Sequence, residues 1–210
     1  MNELLLDPAA ITAESFRRID ALLAPYAVPA SLYPLVRRVV HTTADFEWVA
    51  SLRIHPEAIS RAVAALRSGA SIVTDVQMVA AGIQAKRLAS FGGAIHCAID
   101  AREVAEMAAA TGITRAMAAI HLLSAHYPHA LYVVGNAPTA LFAVIERCDA
   151  GVITPPAIIG VPVGFVSTVE SKTALMNNPH TPWISNIGPK GGSAVAAAIV
   201  NALIVMAGDV

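Results

Sequence analysis

The run Arg38-Val39-Val40-His41-Thr42-Thr43-Ala44-Asp45-Phe46-Glu47 puts one histidine where an amphipathic helix ends and a new element begins. Imidazole is the side chain whose unperturbed pKa lets it hold or release a proton near neutrality, so His41 is the first candidate for an acid or base. A histidine beside an apolar helical face is also an ordinary structural residue, and spacing alone does not separate the two. The negative end of the preceding helix dipole is expected to favour the protonated ring.

The chain has few charges, so each cation near a turn is a candidate for binding an anion. Arg115 follows Gly112-Ile113-Thr114, and its planar fork suits a carboxylate, as does that of Arg87. Both also read as plain surface residues. Gly135-Asn136-Ala137-Pro138 joins a strand to a helix, where Gly135, Asn136 and the free amides of the helix start can receive a carboxylate or phosphate. Gly188-Pro189-Lys190-Gly191-Gly192-Ser193 can offer Lys190 and backbone donors to an anion. It lacks the spacing of a phosphate-binding P-loop, and no GxGxxG occurs, so no nucleotide cofactor is expected. His121, His126 and His129 match no zinc pattern and have no cysteine beside them, so no metal is expected either. Thr42/Asp45 and Ser167/Glu170 fit the spacing of helix capping boxes, which makes Glu170 a structural residue rather than a base.

These residues need elements to position them. Asp7-Pro8 caps a first helix with Ile11, Phe16, Ile19, Leu22 and Leu23 on one face, and Pro25 and Pro29 end it. Leu35, Val36, Val39 and Val40 mark a second helix. Strands are predicted over 71–74, 94–99, 130–134, 157–161 and 183–186. Helices are predicted over 56–67, 76–82, 101–110, 114–126, 138–148, 168–176 and 193–206. Short apolar strands alternating with helices mean right-handed βαβ units and a parallel sheet, with ligands beyond the carboxyl ends of the strands. Residues 1–210 read as one domain.

Composition narrows the function classes. Charged residues make up 14% of the 210 and hydrophobic ones 56%, against about 25% charged in ordinary soluble domains. Such a chain has both faces of its sheet covered and hides further apolar surface in a homo-oligomer. A net charge of −1 argues against nucleic acid or an anionic membrane as partner. Two cysteines without CxxC spacing fit a reducing, cytoplasmic setting. The start carries no leader-like basic and apolar pattern. The apolar run 194–207 is too short to span a membrane and contains Asn201.

Five segments occur together in one family: RVVHTTADFEW (38–48), TDVQMVAAGI (74–83), GNAPTALF (135–142), GVPVGFVSTVESK (160–172) and GPKGGSAVAAAIVNAL (188–203). In this order, and over about 11–203, the chain resembles the precorrin-8X methylmutases, which include the cobalt-precorrin-8 methylmutases. The resemblance implies a three-layer α/β/α, flavodoxin-like fold with a five-stranded parallel sheet and an N-terminal helical extension. It implies homodimers with sites at the subunit interface and no cofactor. It also implies transfer of a methyl group from C-11 to C-12 of ring C in a corrin carrying acetate and propionate arms. By the same resemblance His41 is the catalytic histidine, and Ser15 and Arg115 contact the substrate.

The chemistry suits the residues. Hydrogen bonding or protonation at the ring C nitrogen would make C-12 electron-poor and ease a 1,5-sigmatropic methyl shift, and a placed histidine contributes roughly 10²- to 10⁴-fold by proton transfer. Orientation of the macrocycle supplies the rest. Apolar loops such as 162–166 would cover the ring, while Arg115, Arg87, Lys190 and the Gly135-Asn136 turn would hold its carboxylates. A non-catalytic corrinoid carrier would use the same pocket. The sequence leans toward the cobalt-containing substrate, and the protein need not ligate that metal.

Overall fold

The computed structural model describes residues 6–208. The opening residues on which the absence of a leader was read fall mostly outside it. Asp7 caps helix α1 (Pro8–Leu23) as expected, accepting from the Ala10 amide at 2.7 Å with Pro8 in the first turn. A 3-10 turn at Ala24–Tyr26 leads to α2 (Tyr33–Thr43) and the short α3 (Trp48–Ser51). Then follow β1 (Leu52–Ile54), α4 (Ala58–Arg67), β2 (Ile72–Thr74), α5 (Gln77–Gly82), α6 (Ala85–Ala89), β3 (Ile95–His96) and α7 (Arg102–Thr111). The chain continues through α8 (Arg115–His126), β4 (Leu131–Val134), α9 (Pro138–Asp149), β5 (Ile158–Gly160), α10 (Thr168–Met176), β6 (Trp183–Asn186) and α11 (Ser193–Gly208).

The strands form one sheet in the order β1-β6-β5-β4-β2-β3. The five from β2 to β6 are parallel. Numbered among themselves they run 2-1-3-4-5, the doubly wound order of flavodoxin-like sheets. The sheet nevertheless has six strands rather than five. β1 adds an antiparallel edge to β6, with Leu52 opposite Asn186 and Ile54 opposite Ile184. Three residues between a one-turn helix and a turn are too few to show alternation, and only the partner strand makes them a strand.

Successive residues of the central strands enter different cores, as a period of two requires. Leu131 and Val133 of β4 face one layer, with α2, α4, α5 and α11, while Tyr132 and Val134 face the other, with α8, α9 and α10. Both faces are covered, as expected for a parallel sheet. α11 lies against α2, α4 and α5 and is apolar nearly all round. Asn201, its one mid-helix amide, is satisfied by the Gly82 carbonyl and the Gln84 amide, each at 2.8 Å. No described helix is long and apolar enough to cross a membrane.

Candidate active site at the carboxyl edge of the sheet

His41 lies in the last turn of α2. Leu35, Val36, Val39 and Val40 are buried in the core that α2 shares with α11. That packing leaves Arg37 and His41, four residues apart, on the side that meets α1. Phe16 of α1 sits against His41 with ring centroids 5.0 Å apart. The Arg37 guanidinium lies 4.4 Å and the Arg38 guanidinium 5.6 Å from the centre of the Phe16 ring. Arg37 is paired with Asp20 at 3.2 Å, and Asp20 also accepts from the Tyr33 hydroxyl at 2.8 Å. Arg38 is half-buried and meets no carboxylate among the described residues. In the sequence Arg38 is marked only by its position one turn before His41.

The charge state of His41 is the reverse of the dipole expectation. Burial, and then the neighbouring Arg38 cation, lower its pKa below the ordinary 6.5, so the ring is neutral at pH 7. The carbonyls at the end of α2 are already occupied, which weakens their pull on a proton. Thr42 Oγ1 donates to Arg38 O at 3.0 Å, Thr43 Oγ1 to Val39 O at 2.9 Å, and the Ala44 amide to Val40 O at 2.8 Å. Thr42 is thus spent inside α2, and the Thr42/Asp45 capping box does not form. Ala44 ends the helix in the left-handed region at φ 52°, and Asp45 accepts from the Glu47 amide at 2.9 Å.

Lys190 binds these acids rather than standing free for an anion. Its Nζ donates to Asp45 at 2.7 Å and to Glu47, which tethers the loop before α11 to the segment after His41. The same loop is locked to the one after β5. The Gly192 amide donates to Val161 O at 2.9 Å and the Gly164 amide to Pro189 O at 3.2 Å. Gly191 has φ +159°, and a Cβ there would lie 2.3 Å from Val161 O, so only glycine fits. Beyond this lock the loop exposes Phe165 and Val166, 96% and 81% accessible. The 162–166 loop, expected to cover a ligand, thus holds its apolar tip in the open in the single subunit. Ser167 has φ 60° and makes no side-chain cap, so the second capping box is also absent, and Glu170 is exposed on α10.

The turn at Gly135-Asn136 is already filled. Asp75, fully buried after β2, accepts from the amides of Gly135 at 3.1 Å, Asn136 at 2.8 Å and Ala137 at 2.8 Å. Burial pushes its carboxyl upward while these donors oppose the shift. β2 and β4 are the strands between which the chain order reverses, the usual ligand crevice of such sheets. Here the protein's own carboxylate closes it. The amides expected to receive a substrate anion are thus unavailable, and only the exposed Asn136 side chain stays open to a ligand.

The remaining predicted residues divide. Ser15 lies one residue before Phe16 and donates its hydroxyl to Ile11 O at 2.9 Å. Arg115 is exposed at the start of α8, whose cap Thr114 bonds Thr139 of α9 at 2.8 Å. That places Arg115 at the carboxyl edge, in the layer opposite His41. Arg87 is elsewhere: its guanidinium reaches Val205 O in the last turn of α11, where a cation suits the helix end. α11 begins at the carboxyl edge and ends at the opposite one, so Arg87 cannot join His41 around one ligand within a subunit. His121 lies 3.8 Å from Glu146 and His129 Nδ1 2.9 Å from Thr154. The described residues contain no group of three metal-ligating side chains.

A cavity of about 800 Å³ lies away from this chemistry, lined by Leu32, Ile54, Ile59, Val63, Arg67 and Met206 among others. It opens at the amino edge of the sheet, where Ile54 pairs with Ile184 early in β6. None of the predicted site residues lines it.

Comparison with known proteins agrees with this architecture. The family description Precorrin-8X methylmutase matches residues 10–206. The cobalt-precorrin-8 methylmutase of Priestia megaterium is 40% identical over 204 residues, covering 97% of this chain and 90% of the relative. That of Salmonella typhimurium is 41% identical, covering 94% of each. The precorrin-8X methylmutase of Pseudomonas aeruginosa is 39% identical, covering 97% and 98%. The crystal structure of precorrin-8x methyl mutase from Thermus thermophilus superposes with a TM-score of 0.86 at 38% identity, covering 95% of this chain and 98% of that one. With fold, length and sequence in accord, the chain belongs to the precorrin-8X methylmutase family.

Proposed function

We propose that this protein is a corrin methylmutase of cobalamin biosynthesis, moving the methyl group of a precorrin-8-type substrate from C-11 to C-12 of ring C. The product is hydrogenobyrinate, or cobyrinate where the ring holds cobalt. The observation that carries the residue assignment is the setting of His41: a half-buried imidazole against Phe16, whose ring also meets the Arg38 guanidinium, a cation without a carboxylate partner among the described residues.

That setting supplies a mechanism. A ring carboxylate pairs with Arg38, cancels the lesser of the two effects that disfavour protonation of His41, and adds a negative charge beside the ring. The imidazole then takes up a proton as the substrate docks and presents it to the ring C nitrogen. As electron density leaves C-12, the methyl bond to C-11 breaks while the bond to C-12 forms. The proton returns to the imidazole, and no atom is gained or lost. The Phe165-Val166 loop covers the apolar macrocycle, and Ser15, Asn136 and Arg115 bind its polar arms. Lys190 acts on the same site indirectly, through Asp45 and Glu47.

A homodimer fits this reading. Ile11 and Leu22 of α1 and the tip at Phe165-Val166 stay exposed in one subunit, and a partner would bring Arg115 toward a neighbouring His41. The unpaired Cys97 and Cys148 support a reducing compartment such as the cytoplasm. Mixing a precorrin-8 substrate with excess protein and following the corrin absorbance through a single turnover tests the proposal. Conversion to the product spectrum supports the enzyme, whereas binding without conversion would make the protein a carrier.

A further inference from the structure

Lys172 is the most deeply buried cation among the described residues, with 1% of its surface accessible. It lies on α10 in the layer opposite α2, yet its Nζ points under the loop that precedes α11. There it donates to the carbonyls of Gly188 and Lys190, at 2.9 Å for the first. No carboxylate lies within ion-pair distance among the described residues. A buried ammonium is costly unless its protons are satisfied, so this placement holds only while the loop carbonyls face inward. Burial lowers its pKa to about 8, which leaves it mainly charged at neutrality, and its bonds to carbonyls favour that form.

Asn186 completes the cradle. Its Nδ2 donates to Ile187 O at 3.1 Å and to Lys190 O at 2.9 Å. Its Oδ1 is buried without a partner, because turning the amide over would set oxygen against two carbonyls. Positive φ values at Gly188, Gly191 and Gly192 give the loop a backbone with little local preference of its own. Two buried side chains therefore fix its shape from beneath, and Lys190 passes that shape to Asp45 and Glu47.

We propose that Lys172 is a positioning residue for the methyl shift. It holds the 187–192 loop by its carbonyls, and the loop, through Lys190, fixes Asp45 and Glu47 and so the end of α2 that carries His41. The proposal rests on the reading of His41 as the catalytic group. Lys172 touches neither substrate nor His41, and its effect passes through side chains that would lose their register by a fraction of an ångström. Misplacement on that scale slows chemistry more than it weakens binding.

The test uses full-length Lys172→Met and Lys190→Met, each alone and combined with His41→Ala. Turnover kinetics are measured on precorrin-8, and the His41 ring is followed by NMR. Each single variant should lower kcat by about 10- to 100-fold with KM changed by less than about threefold. Each should shift the His41 signals and leave those of the distant His129 in place. Neither should cause further loss in the His41→Ala background. Wild-type kcat with unmoved His41 signals in folded Lys172→Met would overturn the proposal, as would a full additional loss on His41→Ala. If Lys172→Met does not fold, Lys190→Met decides by the same readouts, because its side chain is exposed. Full activity of His41→Ala would refute the reading of His41, while shifted His41 signals in Lys172→Met would still support the mechanical link.

Discussion

Phe16 of α1 and His41 of α2 hold their ring centroids 5.0 Å apart with the ring planes inclined by 50°. Phe16 also lies beneath the guanidiniums of Arg37 and Arg38, so one aromatic ring sets the surroundings of both His41 and Arg38. Replacing it with alanine lets water reach the imidazole. Burial is the larger cause of the lowered pKa, so the His41 pKa should rise toward 6.5 in Phe16→Ala. Stability should fall by about 1–2 kcal/mol, less than for a fully buried ring because Phe16 is half-buried. NMR titration and thermal melting check both; an unchanged His41 titration would remove Phe16 from the site.

Arg38→Met removes the second cause of the lowered pKa and the proposed carboxylate receptor. The His41 pKa should rise in the free protein, and KM should rise by about 10- to 100-fold, the worth of one charged hydrogen bond. Arg38→Lys should recover part of the loss, since a point charge replaces a fork. Titration together with steady-state kinetics decides; unchanged KM would assign Arg38 to packing alone.

Asp75 should matter for stability more than for chemistry. In Asp75→Asn one oxygen that accepts amide protons becomes a donor, which sets it against backbone N–H groups at the β2/β4 crevice. We expect a loss of about 2–5 kcal/mol by chemical denaturation. A stable Asp75→Asn protein that binds substrate more tightly would instead make the turn a ligand site that Asp75 merely occupies.

Burial lowers the pKa values of His41, His96 and His121 on folding. Between the lowered values and 6.5 the unfolded chain binds more protons than the folded one, so stability rises with pH in that window. The contribution is complete above 6.5 and is lost as pH falls through the folded values. Denaturation midpoints should therefore drop as pH falls below 6.5, and less steeply in His41→Ala. A flat profile would contradict the burial of these rings.

Local patterning made much of the fold legible. The five parallel strands and most helices begin or end within one or two residues of their predicted bounds, because Leu131–Val134 is an unbroken apolar run and Pro138–Asp149 is a helix that opens on a proline. β1 was hidden because Leu52–Ile54 becomes a strand only by pairing with β6. Of the candidate site, the sequence shows His41 at the end of α2 beside Arg38, whereas Phe16, 25 residues earlier, meets His41 only through the packing of α1 on α2. Internal partners that lie far along the chain were not legible. Asp75 reaches the Gly135–Ala137 amides across sixty residues, Asp45 and Glu47 take Lys190 from far along the chain, and Val205 claims Arg87. A motif shows which donors a segment has but not which acceptor reaches them first. The charge of His41 was missed for the same reason, since helix polarity is visible in a sequence and desolvation by α1 is not.

The role of His41 is tested most directly by turnover of a precorrin-8 substrate by His41→Ala, followed through the corrin absorbance. His41→Ala should fold and still bind substrate, with kcat lowered by at least about 100-fold. Near wild-type turnover by that variant would contradict that role.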